Sequence, residues 1–200
     1  AGIVHAYGGA SILNVHYTGA NGVLAANLPQ RLFNAIGATE VDGDTICNAA
    51  GYAGLELLWG TAVEGFDPRT IRDARTVLVW GANPSATAPH AHKDWLKRHG
   101  ATVIVVDPVA HPTAEAADLH LQPRPGSDAA LAFGMAHVLA RDGLLDRAFI
   151  EARTVGFAAI EAEIAAMTPE RTAELTGVPV DAIEAAAHAY GEGPSLLWIG

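Results

Sequence analysis

Three polar residues lie where predicted strands end or a predicted helix begins, and loops at such positions commonly bind ligands. Asn83 follows the run 76–80 with Gly81 between them, Asp107 ends the run 102–107, and Asp128 follows Gly126 at the start of a helical pattern. Glycine lets the backbone approach a phosphate, an Asn amide donates and accepts hydrogen bonds, and a carboxylate accepts them from a ribose hydroxyl or an amino group. Each residue alone is explained equally well as a turn or cap residue. Jointly they predict one wall of a nucleotide site.

Cys47 is the one cysteine among the 200 residues, so an internal disulfide is excluded. It precedes a small-residue helix predicted from about residue 48, and a helix N-terminus favours a thiolate. A thiolate could ligate a soft or high-valent metal, whereas a lone cysteine is more often a small buried apolar residue. The residues alone leave both interpretations open.

Alternating strand and helix patterns surround these residues. Strands are expected at 3–7, 76–80, 102–107 and 195–199, with a short segment at 118–122, and helices at 21–36, 48–59, 86–99, 128–141, 146–153, 157–166 and 180–190. The runs at 77–79 and 103–106 are uninterrupted rather than alternating, which is typical of parallel strands buried on both faces. We therefore expect an α/β fold with a Rossmann-like parallel sheet flanked by helices, plus part of a second α/β domain.

Composition excludes several classes of function. The net charge of −10, from 22 acidic and 12 basic residues, is unsuited to nucleic acid, and no apolar stretch is long enough to insert in a membrane. Neither the glycine-rich NAD fingerprint nor a P-loop is present. The chain lacks an initiating Met and has apolar segments near both ends, so we expect a fragment of a longer polypeptide, with the cytoplasm weakly favoured by the lone thiol.

Four ordered segments resemble the molybdopterin oxidoreductase superfamily, the group that includes dimethyl sulfoxide reductase, periplasmic nitrate reductase and molybdenum formate dehydrogenase. They are residues 80–90 (WGANPSATAPH), 99–108 (HGATVIVVDP), 113–121 (TAEAADLHL) and 125–131 (PGSDAAL). The stretches 143–146, 154–157, 168–170 and 175–179 are similar to the helical region that follows in the same proteins. The resemblance covers nearly the whole chain and points to an internal fragment of a catalytic subunit.

The resemblance implies a molybdenum or tungsten centre held by two molybdopterin guanine dinucleotides. It assigns residues 1–62 to part of a split cofactor-binding domain with the metal-proximal loop, and residues 63–200 to a Rossmann-like domain that binds the guanine dinucleotide. A 4Fe-4S cluster is expected in an N-terminal region outside this chain. The residues whose positions match nucleotide contacts are Gly81, Asn83, Asp107, Thr113, Gly126 and Asp128.

The same resemblance gives Cys47 a role, because related nitrate reductases and formate dehydrogenases place a metal-bound Cys or selenocysteine in this segment. Relatives that use Ser or Asp make Thr45 or Asp44 a substitute ligand. Formate dehydrogenases carry His directly after that residue, whereas this chain has Asn48, so formate is a less favoured substrate.

Another departure affects the loop after residue 107. Ala110 and His111 stand where relatives often have Arg and Thr, which puts phosphate contacts there in doubt.

We accordingly expect a metal-dependent enzyme that transfers two electrons or an oxygen atom to or from a small-molecule substrate. Its partners would be the rest of the same polypeptide and an electron-transfer subunit. The alternative is a non-catalytic Rossmann-like nucleotide-binding or assembly module without a metal. A flavodoxin-like enzyme is disfavoured, because no hydroxyl-rich phosphate loop follows the first strand.

Overall fold

The structure is a computed structural model that describes residues 1–15, 22–41, 49–62, 65, 67–96 and 100–200. The chain divides into two compact units, Ala1–Gly65 and Phe66–Gly200. Cys47 and its neighbours Asp44, Thr45 and Asn48 lie outside the described residues.

The described residues of the first unit form three α-helices, a 3-10 turn at Gly9–Ser11 and a two-stranded parallel sheet. The helices are α1 (Gly2–Tyr7), α2 (Val23–Ile36) and α3 (Ala49–Trp59), and the strands are β1 (Leu13–Val15) and β2 (Thr39–Val41). Helix α2 ends as expected at Gly37, which has a left-handed φ of 70°.

The strand expected at 3–7 is wrong, because these residues form α1 and none of them is buried. The amide of His5 donates to the carbonyl of Ala1, as in a helix. A five-residue apolar run has no periodicity that separates a strand from a helical turn, so the sequence could not decide between them.

The second unit is built on a four-stranded sheet whose strands are all parallel. They are β3 (Thr76–Trp80), β4 (Thr102–Val106), β5 (Leu119–Leu121) and β6 (Ser195–Ile199), in the order β5-β4-β3-β6. The expected parallel α/β fold is confirmed, and the final strand returns to pair with β3.

Seven α-helices of this unit lie among the described residues. They are α4 (Pro84–Thr87), α5 (Pro112–Glu115), α6 (Asp128–Arg141), α7 (Arg147–Arg153), α8 (Phe157–Ala166), α9 (Pro169–Thr176) and α10 (Val180–Gly191). Helix α9 was not among the expected helices, although Thr168 caps it through the Arg171 amide and Gly177 ends it in the left-handed region.

The single helix expected at 86–99 is also wrong. Helix α4 ends at Thr87, and a π-helical segment follows at Ala91–Leu96. Ala88 has a ψ of 62°, far from helical values. It precedes Pro89, and the proline ring disfavours helical geometry in the residue before it.

Both faces of the sheet are covered by apolar side chains, which explains the uninterrupted apolar strands. Leu78, Ile104 and Val106 belong to a buried cluster with side chains of α6 and α10. Val77, Val79, Val103 and Val105 belong to a second cluster, with Leu96 and Ala114. Successive residues of each strand alternate between these clusters, as strand geometry requires.

Candidate functional site

The four parallel strands bring the loops after β3, β4 and β5 to one edge of the sheet. In the strand register, Trp80 pairs with Val106 on one side and Ile199 on the other, and Val106 pairs with Leu121. The chain passes from β3 to β4 and β5 on one side and returns at β6 on the other. Such a reversal of strand order opens a crevice at the carboxyl ends of the strands, where α/β proteins bind ligands.

Gly81 makes the turn out of β3 and belongs to this edge. Its φ is +64°, and its amide donates to the carbonyl of Val106 at 2.9 Å. A Cβ added to Gly81 would meet no atom within 4 Å, so its conformation rather than crowding favours glycine here. The backbone at Gly81 is therefore open to a ligand.

Asn83 is held by two hydroxyl groups. Its Oδ1 accepts hydrogen bonds from Ser85 Oγ at 2.5 Å and from Thr113 Oγ1 at 3.5 Å. Asn83 occupies the N-cap position of α4, but its side chain accepts no capping hydrogen bond. A role as a turn or cap residue therefore does not explain the contacts of the Asn83 side chain. The Nδ2 atom of Asn83 donates to no described residue, so it can donate to a ligand.

Thr113 is 2% exposed and lies behind this loop rather than on its surface. Its hydroxyl oxygen accepts the Ser85 amide at 2.9 Å and lies 3.3 Å from His92 Nδ1. Thr113 thereby connects α5, which follows β4, to the loop that follows β3. The contacts of Ser85 and His92 with Thr113 could not be predicted from the sequence, because hydroxyl and imidazole contacts between residues 21 and 28 positions apart depend on the packing.

Asp107 follows β4, and its side chain is 15% exposed. Its Oδ1 accepts the amide of Val109 at 2.7 Å, which closes a tight Asx turn. Its main-chain carbonyl accepts His120 Nε2 at 2.8 Å. Its second carboxylate oxygen, Oδ2, lies 3.5 Å from His111 Nε2. The turn explanation thus accounts for one carboxylate oxygen and leaves the other.

The loop after β5 is anchored on α9. The guanidinium Nη1 of Arg124 donates to the carbonyls of Glu174 at 2.7 Å and Leu175 at 3.1 Å. Gly126 follows with a φ of +84°, and the Ser127 amide and hydroxyl both donate to the Arg124 carbonyl. The arginine therefore stabilises the loop and the end of α9.

Asp128 is the first residue of α6, and Ser127 occupies the N-cap position before it. The Oδ1 atom of Asp128 accepts Trp80 Nε1 at 2.8 Å across 48 residues of sequence, while the residue stays exposed. The explanation of Asp128 as a helix cap is therefore not supported. Its carboxylate is oriented by the indole and keeps acceptor capacity for a ligand.

The chemistry of this edge suits the neutral polar parts of a nucleotide. The carboxylates of Asp107 and Asp128 accept hydrogen bonds from ribose hydroxyls or from the N–H groups of a purine base, and the amide of Asn83 donates. Backbone turns at Gly81 and Gly126 leave space for a phosphate chain. The residues present thus fit the ribose, base and phosphate groups of a nucleotide.

The described part of the chain has neither a cluster of metal-binding side chains nor a membrane-spanning helix. Among those residues, no group of three or more His, Cys, Asp or Glu side chains is arranged to hold a metal ion. No helix within them has the length and apolar character needed to cross a membrane.

Comparison with known proteins identifies similar chains. A family model described as molybdopterin oxidoreductase matches residues 11–194. The chain is 33% identical over 199 residues to "Probable oxidoreductase YoaE" of Bacillus subtilis, and the aligned region covers 96% of this chain and 29% of that protein. It is 34% identical over 168 residues to formate dehydrogenase H of Escherichia coli, covering 82% of this chain and 24% of the relative.

A solved structure is similar over nearly the whole chain. Acetylene hydratase from Pelobacter acetylenicus superposes with a TM-score of 0.70 and 26% identity, covering 98% of this chain and 27% of that structure. The chain thus spans less than a third of the length of each of these proteins.

Proposed function

Because the chain belongs to the molybdopterin oxidoreductase family, we propose that it is the cofactor-binding portion of a molybdenum or tungsten bis-pterin oxidoreductase acting on a small substrate. The expected family resemblance is confirmed. We propose two-electron or oxygen-atom transfer as the reaction of the whole protein. A redox reaction of this kind needs an electron donor or acceptor, so we also propose an electron-transfer partner.

The observation that carries this proposal is the set of acceptors at the carboxyl edge of the sheet. Asp107 and Asp128 would accept hydrogen bonds from the ribose and the guanine of one molybdopterin guanine dinucleotide, and Asn83 would donate to it. Gly81 and Gly126 would let the backbone approach the phosphates. Since Thr113 is buried, we propose that it contributes by holding Asn83 and Ser85 in place.

Cys47 is proposed as the protein ligand of the metal. A soft thiolate suits a metal that is already bound by dithiolene sulfur. When bound, the metal centre supplies the redox chemistry, and the protein supplies binding, orientation and electrostatics. A 4Fe-4S cluster in another part of the polypeptide remains a proposal of the same kind.

Metal analysis tests the role of Cys47. The full-length protein should contain molybdenum or tungsten, together with a guanine nucleotide that acid hydrolysis releases. Cys47→Ser should retain the nucleotide and alter the spectrum of the metal, because the serine oxygen is a harder ligand than sulfur. Ser11→Ala is a control outside the proposed site.

Each contrary result has a distinct meaning. An active enzyme with neither molybdenum nor tungsten would overturn the proposal. Guanine nucleotide without either metal would instead favour a non-catalytic nucleotide-binding module. An unchanged metal spectrum in Cys47→Ser would exclude Cys47 as the ligand and leave the nucleotide site standing.

A further inference from the structure

His111 is a buried histidine, and one of its two ring nitrogens makes no hydrogen bond with the described residues. The residue is 7% exposed, and its Nε2 atom is buried without a hydrogen-bond partner among the described residues. A buried polar atom without a partner is uncommon and calls for an explanation. The nearby group of complementary chemistry is Asp107 Oδ2, at 3.5 Å from Nε2.

The tautomer of His111 follows from its other ring nitrogen. The amide of Ala114 donates to His111 Nδ1 at 3.2 Å, and this bond caps α5. Nδ1 must therefore carry a lone pair, which places the proton of the neutral ring on Nε2. The buried N–H group at Nε2 thus lies beside a carboxylate oxygen rather than beside another donor.

The two carboxylate oxygens of Asp107 differ in their contacts. Oδ1 accepts the amide of Val109 at 2.7 Å, which fixes one side of the carboxylate. Among the described residues Oδ2 has no hydrogen bond of ordinary length, since its 3.5 Å separation from His111 Nε2 exceeds that of a charge-assisted hydrogen bond. Shortening this separation to about 2.8 Å would make it an ordinary charge-assisted hydrogen bond.

We propose that His111 is a positioning residue for Asp107: its Nε2–H donates to Asp107 Oδ2 when a nucleotide is bound, which fixes the carboxylate for paired hydroxyl or N–H donors of the ligand. This inference depends on the proposed function of Asp107 as a nucleotide anchor. One imidazole thus performs two tasks, because Nδ1 caps α5 while Nε2 orients the carboxylate. A shorter polar residue such as Asn could perform the first task and not the second.

The two tasks can be separated with His111→Asn, in which the Asn oxygen still accepts the Ala114 amide. The experiment uses the full-length protein, produced in a host that cannot make the pterin cofactor, and measures GDP binding by calorimetry. The Val109 amide still holds Oδ1 in this variant, so the loss is that of the hydrogen bond that forms in the complex, and Kd should rise about 2- to 13-fold. Hydrogen exchange in α5 should be unchanged, because the cap remains.

His188→Asn is the matched control, since His188 also faces an aspartate, with Nε2 at 2.7 Å from Asp142 Oδ2. It lies near the opposite edge of the sheet, because the neighbouring Ala189 carbonyl accepts the hydroxyl of Thr76, the first residue of β3. This variant should bind GDP like the parent protein.

Asp107→Ala separates failure of this inference from failure of the proposed function. If Asp107→Ala weakens GDP binding and His111→Asn does not, His111 has no positioning role and the nucleotide site stands. If the parent protein fails to bind GDP, or Asp107→Ala has no effect, the assignment of Asp107 as an anchor is overturned and this inference with it.

The double variant tests whether His111 acts through Asp107. Adding His111→Asn to Asp107→Ala should cause no further loss of GDP affinity. A further loss would show that His111 acts by another route and would overturn the inference. A structure of the GDP complex should show Nε2 to Oδ2 at about 2.8 Å, and a distance still near 3.5 Å would contradict it.

Discussion

Replacing Trp80 with Phe should weaken guanine-nucleotide binding without direct loss of a ligand contact. Trp80 ends β3, packs partly buried against the core cluster on the α6 and α10 face, and donates its indole N–H to Asp128 Oδ1 at 2.8 Å. Phenylalanine keeps an aromatic ring at this position but lacks the donor. The exposed carboxylate of Asp128 would then be free to rotate.

The size of the effect follows from what the indole does. A carboxylate already fixed by one hydrogen bond loses little side-chain freedom when a ligand binds. Ordering a free side chain costs about 0.5 to 1.5 kcal/mol, which corresponds to a rise in Kd of about 2- to 13-fold. Since Asp128 is exposed, we expect no greater effect from the lost hydrogen bond itself.

Calorimetric titration of the cofactor-free full-length protein with GDP measures this change. Trp198→Phe is the control, because it removes an indole from β6 that packs at a tilt of 47° against Trp95 in the opposite cluster, with the ring centroids 6.4 Å apart. Trp80→Phe in an Asp128→Ala background should have no additional effect. An unchanged Kd in Trp80→Phe, or an equal loss in both backgrounds, would refute the claim that the indole acts through Asp128.

Three further changes test the packing and electrostatics of the second unit. A Cβ on Gly134 would overlap the side chain of the fully buried Thr172, so Gly134→Ala should destabilise the contact of α6 with α9 by about 1 to 3 kcal/mol. Hydrogen exchange in α9 should become faster in this variant, and adding Thr172→Ala should relieve part of the loss. Arg124→Ala removes two hydrogen bonds to carbonyls at the end of α9 and should increase exchange there, and unchanged protection would contradict the anchoring role. The Arg141 guanidinium holds the pKa of Asp142 well below its ordinary value. Because the folded pKa is lowered, the stabilisation by Asp142 should be present above about pH 4 and disappear as the pH falls through the folded pKa; thermal unfolding of Asp142→Asn and the parent protein should differ at neutral pH and converge in acid.

Much of the second unit could be predicted from local patterns. The strand at 76–80 and the helices at 128–141 and 157–166 match the expected bounds, because uninterrupted apolar runs indicate buried parallel strands and alanine-rich segments favour helices. The predicted strand at 3–7 was wrong because that apolar run is too short to show a period. The predicted single helix at 86–99 was wrong because Pro89 disfavours helical geometry at Ala88.

The sequence by itself determined which chemical groups lie at the ends of the strands and at the start of α6. These elements are specified by local sequence patterns, and they are followed or begun by Gly81, Asn83, Asp107 and Asp128. Only the tertiary structure decided what each group contacts. It buries Thr113 behind Asn83, places His111 beside Asp107 and joins Trp80 to Asp128 across 48 residues. These contacts depend on strand order and on the packing of helices over both faces of the sheet, and neither is encoded by spacing along the chain.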